Sequence, residues 1–293
     1  GAGWFVRSKL TGLRQVFNVA LNLYPRPIPS PVEDLRPARG TCEQCHWPDK
    51  FTGDRIKIIR KFQEDEANTP VTTVLLMHIG GGAGAKGIHS YHISAGNQTY
   101  YTPADPKRQS IAQVRRVSPD GTQHVYKAPA DKYPKDQIEK TEERQMDCID
   151  CHNRPSHIFK SPEQEVNAAL ADGRLDVTLP YIRKMGVETL AEAKGAEGDL
   201  QQIETKLREY YAKNYADLVK ADPSRVEKAI SVLQTVYSRN VFPKMNLTWG
   251  YHPNNLGHEA FPGCFRCHDD SMQTEQGKSI GQDCTVCHSV LAW

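Results

Sequence analysis

The sequence predicts an α+β fold, mostly helix and irregular loop with a small antiparallel β insert, on three observations. Four Cys-x-x-Cys-His runs use all eight cysteines of the 293-residue chain. The stretch between the first and second runs is rich in β-branched and apolar residues, broken by turn signals. The stretch after the second run carries apolar residues at helical spacing, bounded by prolines. Four segments follow: 1–41, an N-terminal amphipathic helix and Pro-rich linker; 42–147, the first run with the β-rich insert; 148–241, the second run with the helical segment; and 242–293, two closely spaced runs.

From the N-terminus, Trp4–Leu23 has helical apolar spacing at Phe5, Leu10, Leu13, Phe17 and Leu21. Arg7, Lys9 and Arg14 interrupt it and exclude a membrane-spanning helix. The basic residues with Trp4 and Phe5 allow an interfacial role, but packing on the rest of the protein is the favoured reading. Pro25, Pro27, Pro29 and Pro31 then enforce an extended linker. Strands are predicted at Arg55–Phe62, Val71–Ile79, Ile88–Ile93, Thr99–Thr102, Ile111–Val117 and Thr122–Tyr126, with Ala95-Gly96-Asn97 and Ser118-Pro119-Asp120-Gly121 as turns. The glycine-rich loop of Gly80–Gly84 and Gly87 lacks the Gly-Lys-Ser/Thr ending of a phosphate-binding loop. Ser161-Pro162-Glu163 starts a helix, and more are predicted at Pro180–Ala193, Gly198–Val219 and Pro223–Arg239, with Pro243 ending the segment. Ile203, Leu207, Tyr210, Tyr211, Tyr215 and Leu218 share one side of the third, a core stripe.

The four runs are Cys42-Glu43-Gln44-Cys45-His46, Cys148-Ile149-Asp150-Cys151-His152, Cys264-Phe265-Arg266-Cys267-His268 and Cys284-Thr285-Val286-Cys287-His288. This is the attachment signature of c-type haem. Two thiols bond the vinyl groups, and the following histidine becomes the proximal iron ligand. The sequence thus implies four c-type haems, held covalently by those eight cysteines, with His46, His152, His268 and His288 as proximal ligands. The fold is then haem-cored. A hydrophobic content of 38% is low for a globular chain, and apolar haem discs would make up the shortfall. The histidine after each pair excludes a disulfide framework. A formal charge of +2 points neither to nucleic acid nor to an acidic membrane patch. Each ferric haem with its propionates adds roughly −1, so Lys and Arg are expected near the propionates. Thioether attachment takes place outside the cytoplasm, which in bacteria means the periplasm. The chain begins Gly-Ala-Gly-Trp without Met, so upstream sequence is expected to have been removed.

Each iron that only transfers electrons needs a second axial ligand. The candidates are His92, His89, His157, His258, Met272 and His252. His157 lies five residues after His152, too tightly tethered to reach the opposite face of its own haem, so it should serve a neighbour. His258, six residues before Cys264, should also serve a neighbour. In a strand, His89 and His92 would face opposite sides, one ligating iron and the other meeting a propionate, with His92 the favoured ligand. Met272, four residues after His268, would give a higher-potential His/Met iron, or else fills a gap on a haem face. His252 and His78 compete with it. His124 reads as a solvated strand residue.

The arrangement Cys148-Ile-Asp-Cys-His152 followed by His157 resembles the internal motif of the NapC/NirT family of multihaem cytochromes. Asn-Asn-Leu-Gly-His258 before Cys264, and the closing Gln-Asp-Cys284-Thr-Val-Cys-His288, look like longer relatives of that family. The resemblance implies a periplasmic electron carrier, membrane-associated in its full-length form, that draws electrons from membrane quinol through an upstream or partner membrane module. Two departures stand out. Met272 occupies a place where the relatives commonly have His, and the family's usual first-haem site with a nearby Met is not seen around Cys42. The reading is a tetrahaem electron relay serving redox partner proteins and periplasmic or outer-membrane acceptors, more a carrier than a catalyst. A multihaem reductase of a small nitrogen or oxyanion substrate is one alternative, and a subunit of a haem filament is another.

Overall fold

The structure, a computed structural model, describes residues 2–25, 38, 43, 45–46, 52–81, 86–94, 96–134, 138, 141–154, 158–245 and 247–293. Cys42, His157 and most of the proline linker lie outside the described residues.

A helical bundle spans residues 162–241. Its members are α4 (Pro162–Ala171), α5 (Ile182–Glu192), α6 (Asp199–Asn214), α7 (Ala216–Ala221) and α8 (Ser224–Asn240), with α1 to α3 lying earlier in the chain. Ser161 caps α4: its hydroxyl accepts from Gln164 N at 3.2 Å, while the Gln164 side chain accepts from Ser161 N at 3.0 Å. Val166, Leu179, Ile182, Leu190, Ile203, Leu207, Tyr211, Leu233 and Val236 are fully buried in one cluster. Gly186 lets α5 approach α4, because a Cβ there would meet Val166 Cγ2 at 3.3 Å. The Tyr211 hydroxyl donates to Pro180 O at 2.9 Å, so this buried ring keeps its polar end satisfied. The sequence predicts one helix over Gly198–Val219, but the structure breaks it at Tyr215 (φ −140°), whose hydroxyl reaches Glu66 Oε1 at 3.2 Å. Apolar spacing continues across the break, so periodicity alone does not reveal it.

The β structure forms two antiparallel sheets rather than one insert. The first has the order β1 (Asp54–Phe62), β2 (Pro70–His78), β7 (His288–Ala292). Asp54 pairs with His78, Phe62 with Pro70, and Met77 with His288. The chain's last residues thus add a strand to β2. The second sheet has the order β5 (Gln123–Lys127), β4 (Ile111–Val117), β3 (Gln98–Pro103), β6 (Arg144–Gln145). Gly121, at φ 81°, closes the β4–β5 turn and donates to Ser118 O at 2.9 Å. Tyr101, Ile111, Val114, Tyr126 and Met272 form a small apolar cluster on this sheet. Gln273 exchanges two backbone hydrogen bonds with Lys127, at 2.9 and 3.0 Å, so the loop between the last two runs is laid on the sheet edge.

The first sheet docks on the bundle through the β1–β2 turn. Asn68, buried at φ 49°, donates to Leu179 O at 2.8 Å and Val177 O at 3.0 Å, and accepts from Arg183 N at 2.8 Å. One side chain thus satisfies three backbone groups of the α4–α5 connection and the start of α5.

Two expectations need correcting. Residues 88–93 are not a strand: Ile88–His92 forms the one-turn helix α2. Its backbone groups are taken by local partners, with Tyr91 N bonding to Gly87 O and Ile93 N to His89 O, and the Thr99 hydroxyl donating to Tyr91 O. Nor is α1 (Ala2–Ala20) packed on the body: Phe5, Leu10, Leu13, Val16, Phe17 and Val19 are all more than half exposed. Its apolar residues spread over more than half the helix circumference, wider than one packed stripe covers. Among the described residues no helix is long and apolar enough to cross a membrane.

Candidate functional site

Runs two, three and four are each shaped by a local cap or tight turn. Residues Cys148–Cys151 form the single turn α3, capped reciprocally: Asp147 Oδ1 accepts from Ile149 N at 3.0 Å and Asp150 Oδ2 from Asp147 N at 2.9 Å. Asp283 caps α9 (Cys284–Cys287) in a similar way, accepting from Thr285 N at 2.9 Å. Cys264 sits in a 3-10 turn, Gly263–Arg266, whose Gly263 (φ 48°) lies so close to Gly257 O that a Cβ has no room. Cys264 N then donates to Gly257 O at 2.9 Å. Such turns place two thiols and a histidine on one side of a short stretch, as attachment to one ring requires.

Asp150, within the second run, is a hub that sequence reasoning missed. Its buried carboxylate accepts from the Tyr101 hydroxyl at 2.7 Å and pairs with Arg108 at 3.4 Å and Arg144 at 3.2 Å. Burial, then Asp150, pushes the Tyr101 phenol well above its ordinary range. The Asp150 backbone carbonyl accepts from Asn255 Nδ2 and from Arg266 NH2, both at 3.0 Å. Arg266 lies between the two cysteines of the third run, so runs two and three are bonded directly. The signal in the sequence was a charged residue at the second variable position of runs two and three, Asp150 and Arg266, where runs one and four have Gln44 and Val286.

Among the described residues the cysteines form no disulfide, and burial pushes the Cys151 and Cys267 thiols up to about 12. Among the described residues no group of three or more His, Cys, Asp or Glu side chains is gathered to hold a bare metal ion. The histidines are instead met in pairs. The rings of His92 and His268 lie 5.8 Å apart, centre to centre, and those of His258 and His288 lie 6.2 Å apart. Two imidazoles on opposite faces of one metal, each nitrogen about 2 Å from it, put their ring centres about 6 Å apart.

The tautomers agree with ligation. His92 Nδ1 lies 2.6 Å from Ile88 O, and His268 Nδ1 lies 3.0 Å from Gly281 O. A carbonyl only accepts, so in both rings Nδ1 carries a proton, which leaves Nε2 as the nitrogen available to a metal. Burial pushes His92 down to about 4, so it is neutral at physiological pH. Burial, then His89, lowers His152. His288 Nδ1 is buried with no hydrogen-bond partner among the described residues. His258 is held by stacking on Phe265, 4.2 Å away.

The other predicted residues are placed as follows. Cys45 and His46 are exposed. His252 is buried between Phe159 (4.5 Å) and Tyr251 (5.0 Å), with Nδ1 3.3 Å from Arg154. Burial, then Arg154, pushes it down to about 4. Met272 is fully buried in the apolar cluster of the second sheet, against which Cys267 also packs. His78 bonds to Ser289 at 2.9 Å and Asp54 at 3.3 Å, bridging β2, β7 and β1. The donor set fits haem: paired thiols, an adjacent histidine, and a second histidine across a gap of suitable width.

Runs of this kind define the class of c-type cytochromes, and comparison with known proteins points the same way. The chain is 43% identical over 295 residues to the cytochrome c-type protein ImcH of Geobacter sulfurreducens. That similarity takes in 99% of this chain and 58% of the relative, so the chain spans under two thirds of that protein's length. No family model matches the chain, and no solved structure matches it.

Proposed function

We propose that this chain carries four c-type haems and relays electrons among them, as the haem-bearing part of a multihaem cytochrome. When bound, haem supplies an iron that gains and loses one electron. The observation that carries the reading is the pairing of His268 with His92 and of His288 with His258 at the separation of a bis-imidazole site. In this reading His92 and His258 are distal ligands. His157 and His252 remain the candidates for the haem at Cys42. The buried seat of Met272 favours a packing role over ligation.

Contacts between runs support a series in chain order. Cys148 Sγ lies 3.9 Å from Glu43, inside the first run. Arg266 bonds to Asp150 O across runs two and three. His268 bonds to Gly281 O, just before run four. Arg116 and Arg154 each keep a buried Nε without a partner among the described residues, and they stand near His92 and His252, where propionates would be met.

The finer reading is a periplasmic relay of NapC/NirT type, passing electrons from a membrane quinol-oxidising module to periplasmic or outer-membrane acceptors. Mass spectrometry of the purified holoprotein should find four covalent haems, and optical spectra should be low-spin in both redox states. Fewer haems would refute the tetrahaem count. A high-spin iron that binds nitrite or cyanide would replace the relay with a reductase.

A further inference from the structure

Phe265 is the first variable residue of run three, and it is partly buried. Its ring stacks on that of His258, with centres 4.2 Å apart and planes 15° from parallel. His258 in turn meets His288 of run four. A side chain of one run thus lies flat against a histidine paired with the next. We propose that Phe265 is a positioning residue for the haem attached at Cys284 and Cys287: its ring sets the plane of the His258 imidazole and keeps it close to the plane of His288. This inference rests on the haem-relay reading, in which His258 is a distal ligand, and adds the residue that orients it.

The two histidine pairs are oriented by different means. His92 and His268 each present Nδ1 to a backbone carbonyl, at 2.6 and 3.0 Å, and their planes stand 62° apart. Among the described residues the His258 ring makes no hydrogen bond, and its flat neighbours are Phe265 and His288. Yet the planes of His258 and His288 are only 26° apart. The torsion that turns a histidine ring is broad, so a fixed plane needs a constraint from outside the residue. Backbone ties hold the chain on either side of His258. Gly257 (φ 82°) accepts from Cys264 N at 2.9 Å, and Glu259 pairs with Lys61 of β1 at 2.9 Å. These ties bring His258 to the turn of run three but leave its ring free to rotate. The flat face of Phe265 removes that freedom, because parallel rings keep their contact only while they stay parallel. The attachment turn of one haem therefore sets a ligand plane of the next.

Electron paramagnetic resonance reads the angle between two axial imidazoles directly. Near-parallel planes split the iron d orbitals and give a rhombic low-spin signal. Crossed planes leave two of those orbitals nearly degenerate and give one signal at large g. The pair at run four should give the first kind and the pair at run three the second. The test uses the fully oxidised holoprotein, with His258→Met to identify the run-four signal by its loss. Phe265→Leu keeps the apolar bulk and removes the flat face, so it should move that rhombic signal toward larger g and leave the other haems unchanged. Phe265→Tyr keeps the flat face and should give the wild-type spectrum. An unchanged spectrum in Phe265→Leu, the same change in Phe265→Tyr, or a wild-type protein whose run-four signal is not rhombic would overturn the proposal. So would loss of a haem by mass from Phe265→Leu, which would make Phe265 a structural part of the attachment turn. The haem count and spin state of the wild type test the relay reading separately, since neither depends on the angle between ligand planes.

Discussion

Residues 162–241 and residues 252–288 are held together by different means. The first stretch buries Leu179, Ile182, Leu190, Ile203, Leu207, Leu233 and Val236 completely, and its polar groups are mostly spent on helix backbone. The second has short turns, a largely exposed last run, and buried polar residues such as His252 and Asn255. Here the tie points are hydrogen bonds from side chain to backbone: Asn255 to Asp150 O, Arg266 to Arg108 O at 2.7 Å, and Asn153 to Pro253 O at 2.9 Å. One region supplies its own apolar interior. The other is a polar cage, whose apolar interior would be the cofactor.

The largest effect should come from withholding haem. With attachment blocked, amides of 162–240 should keep slow hydrogen exchange, while those of 148–154 and 252–288 should exchange freely. Equal loss in both would mean that the bundle, too, depends on haem. Asp150→Ala comes next, since it strands Arg108, Arg144 and the Tyr101 hydroxyl. Breaking such a buried pair typically costs about 3–5 kcal/mol. Denaturant unfolding followed by haem absorbance should show the loss, with bundle helicity spared. Leu207→Ala should cost about 2–5 kcal/mol, seen in the helical circular dichroism and not in the haem bands. A simultaneous collapse of both signals in either variant would erase the distinction between the regions.

The smallest effect concerns the partly exposed pair of Arg115 and Glu143, 2.9 Å apart on the second sheet. The hydrogen bond from Arg115 holds the Glu143 carboxyl below its ordinary range. A depressed folded value means that the added stability is complete above the ordinary carboxylate range and is lost as pH falls through the depressed one. Glu143→Gln should therefore lower stability near neutral pH by under about 1 kcal/mol and leave it unchanged in acid. A difference that grows toward acid would contradict the assignment.

The bundle was legible because its signals are local: the Ser161-Pro162 start, the stripe from Ile203 to Leu218, and the stop at Pro243. The Cys-x-x-Cys-His runs were legible because the chemistry requires fixed spacing. Residues 88–93 misled because Ile-His-Ser-Tyr-His-Ile is too short for periodicity to separate a turn of helix from a strand. Its helical form depends on Gly87, Ser94, Asn97 and Thr99, which supply or accept the hydrogen bonds around it. Asp150 and Arg266 were hidden for another reason. Their positions within a run are variable in the signature, and only the fold shows that they reach from one run to the next.

Asn68 sets a timetable. Its acceptors Val177 and Leu179 and its donor Arg183 lie more than a hundred residues further along the chain. In a chain that emerges N-terminus first, β1 and β2 can pair at once, but their turn has nowhere to bury its amide until α5 has arrived. The β1–β2 hairpin should thus close early and dock late, the long loop being the slow step. During that interval the strand edge that later receives β7 stays open.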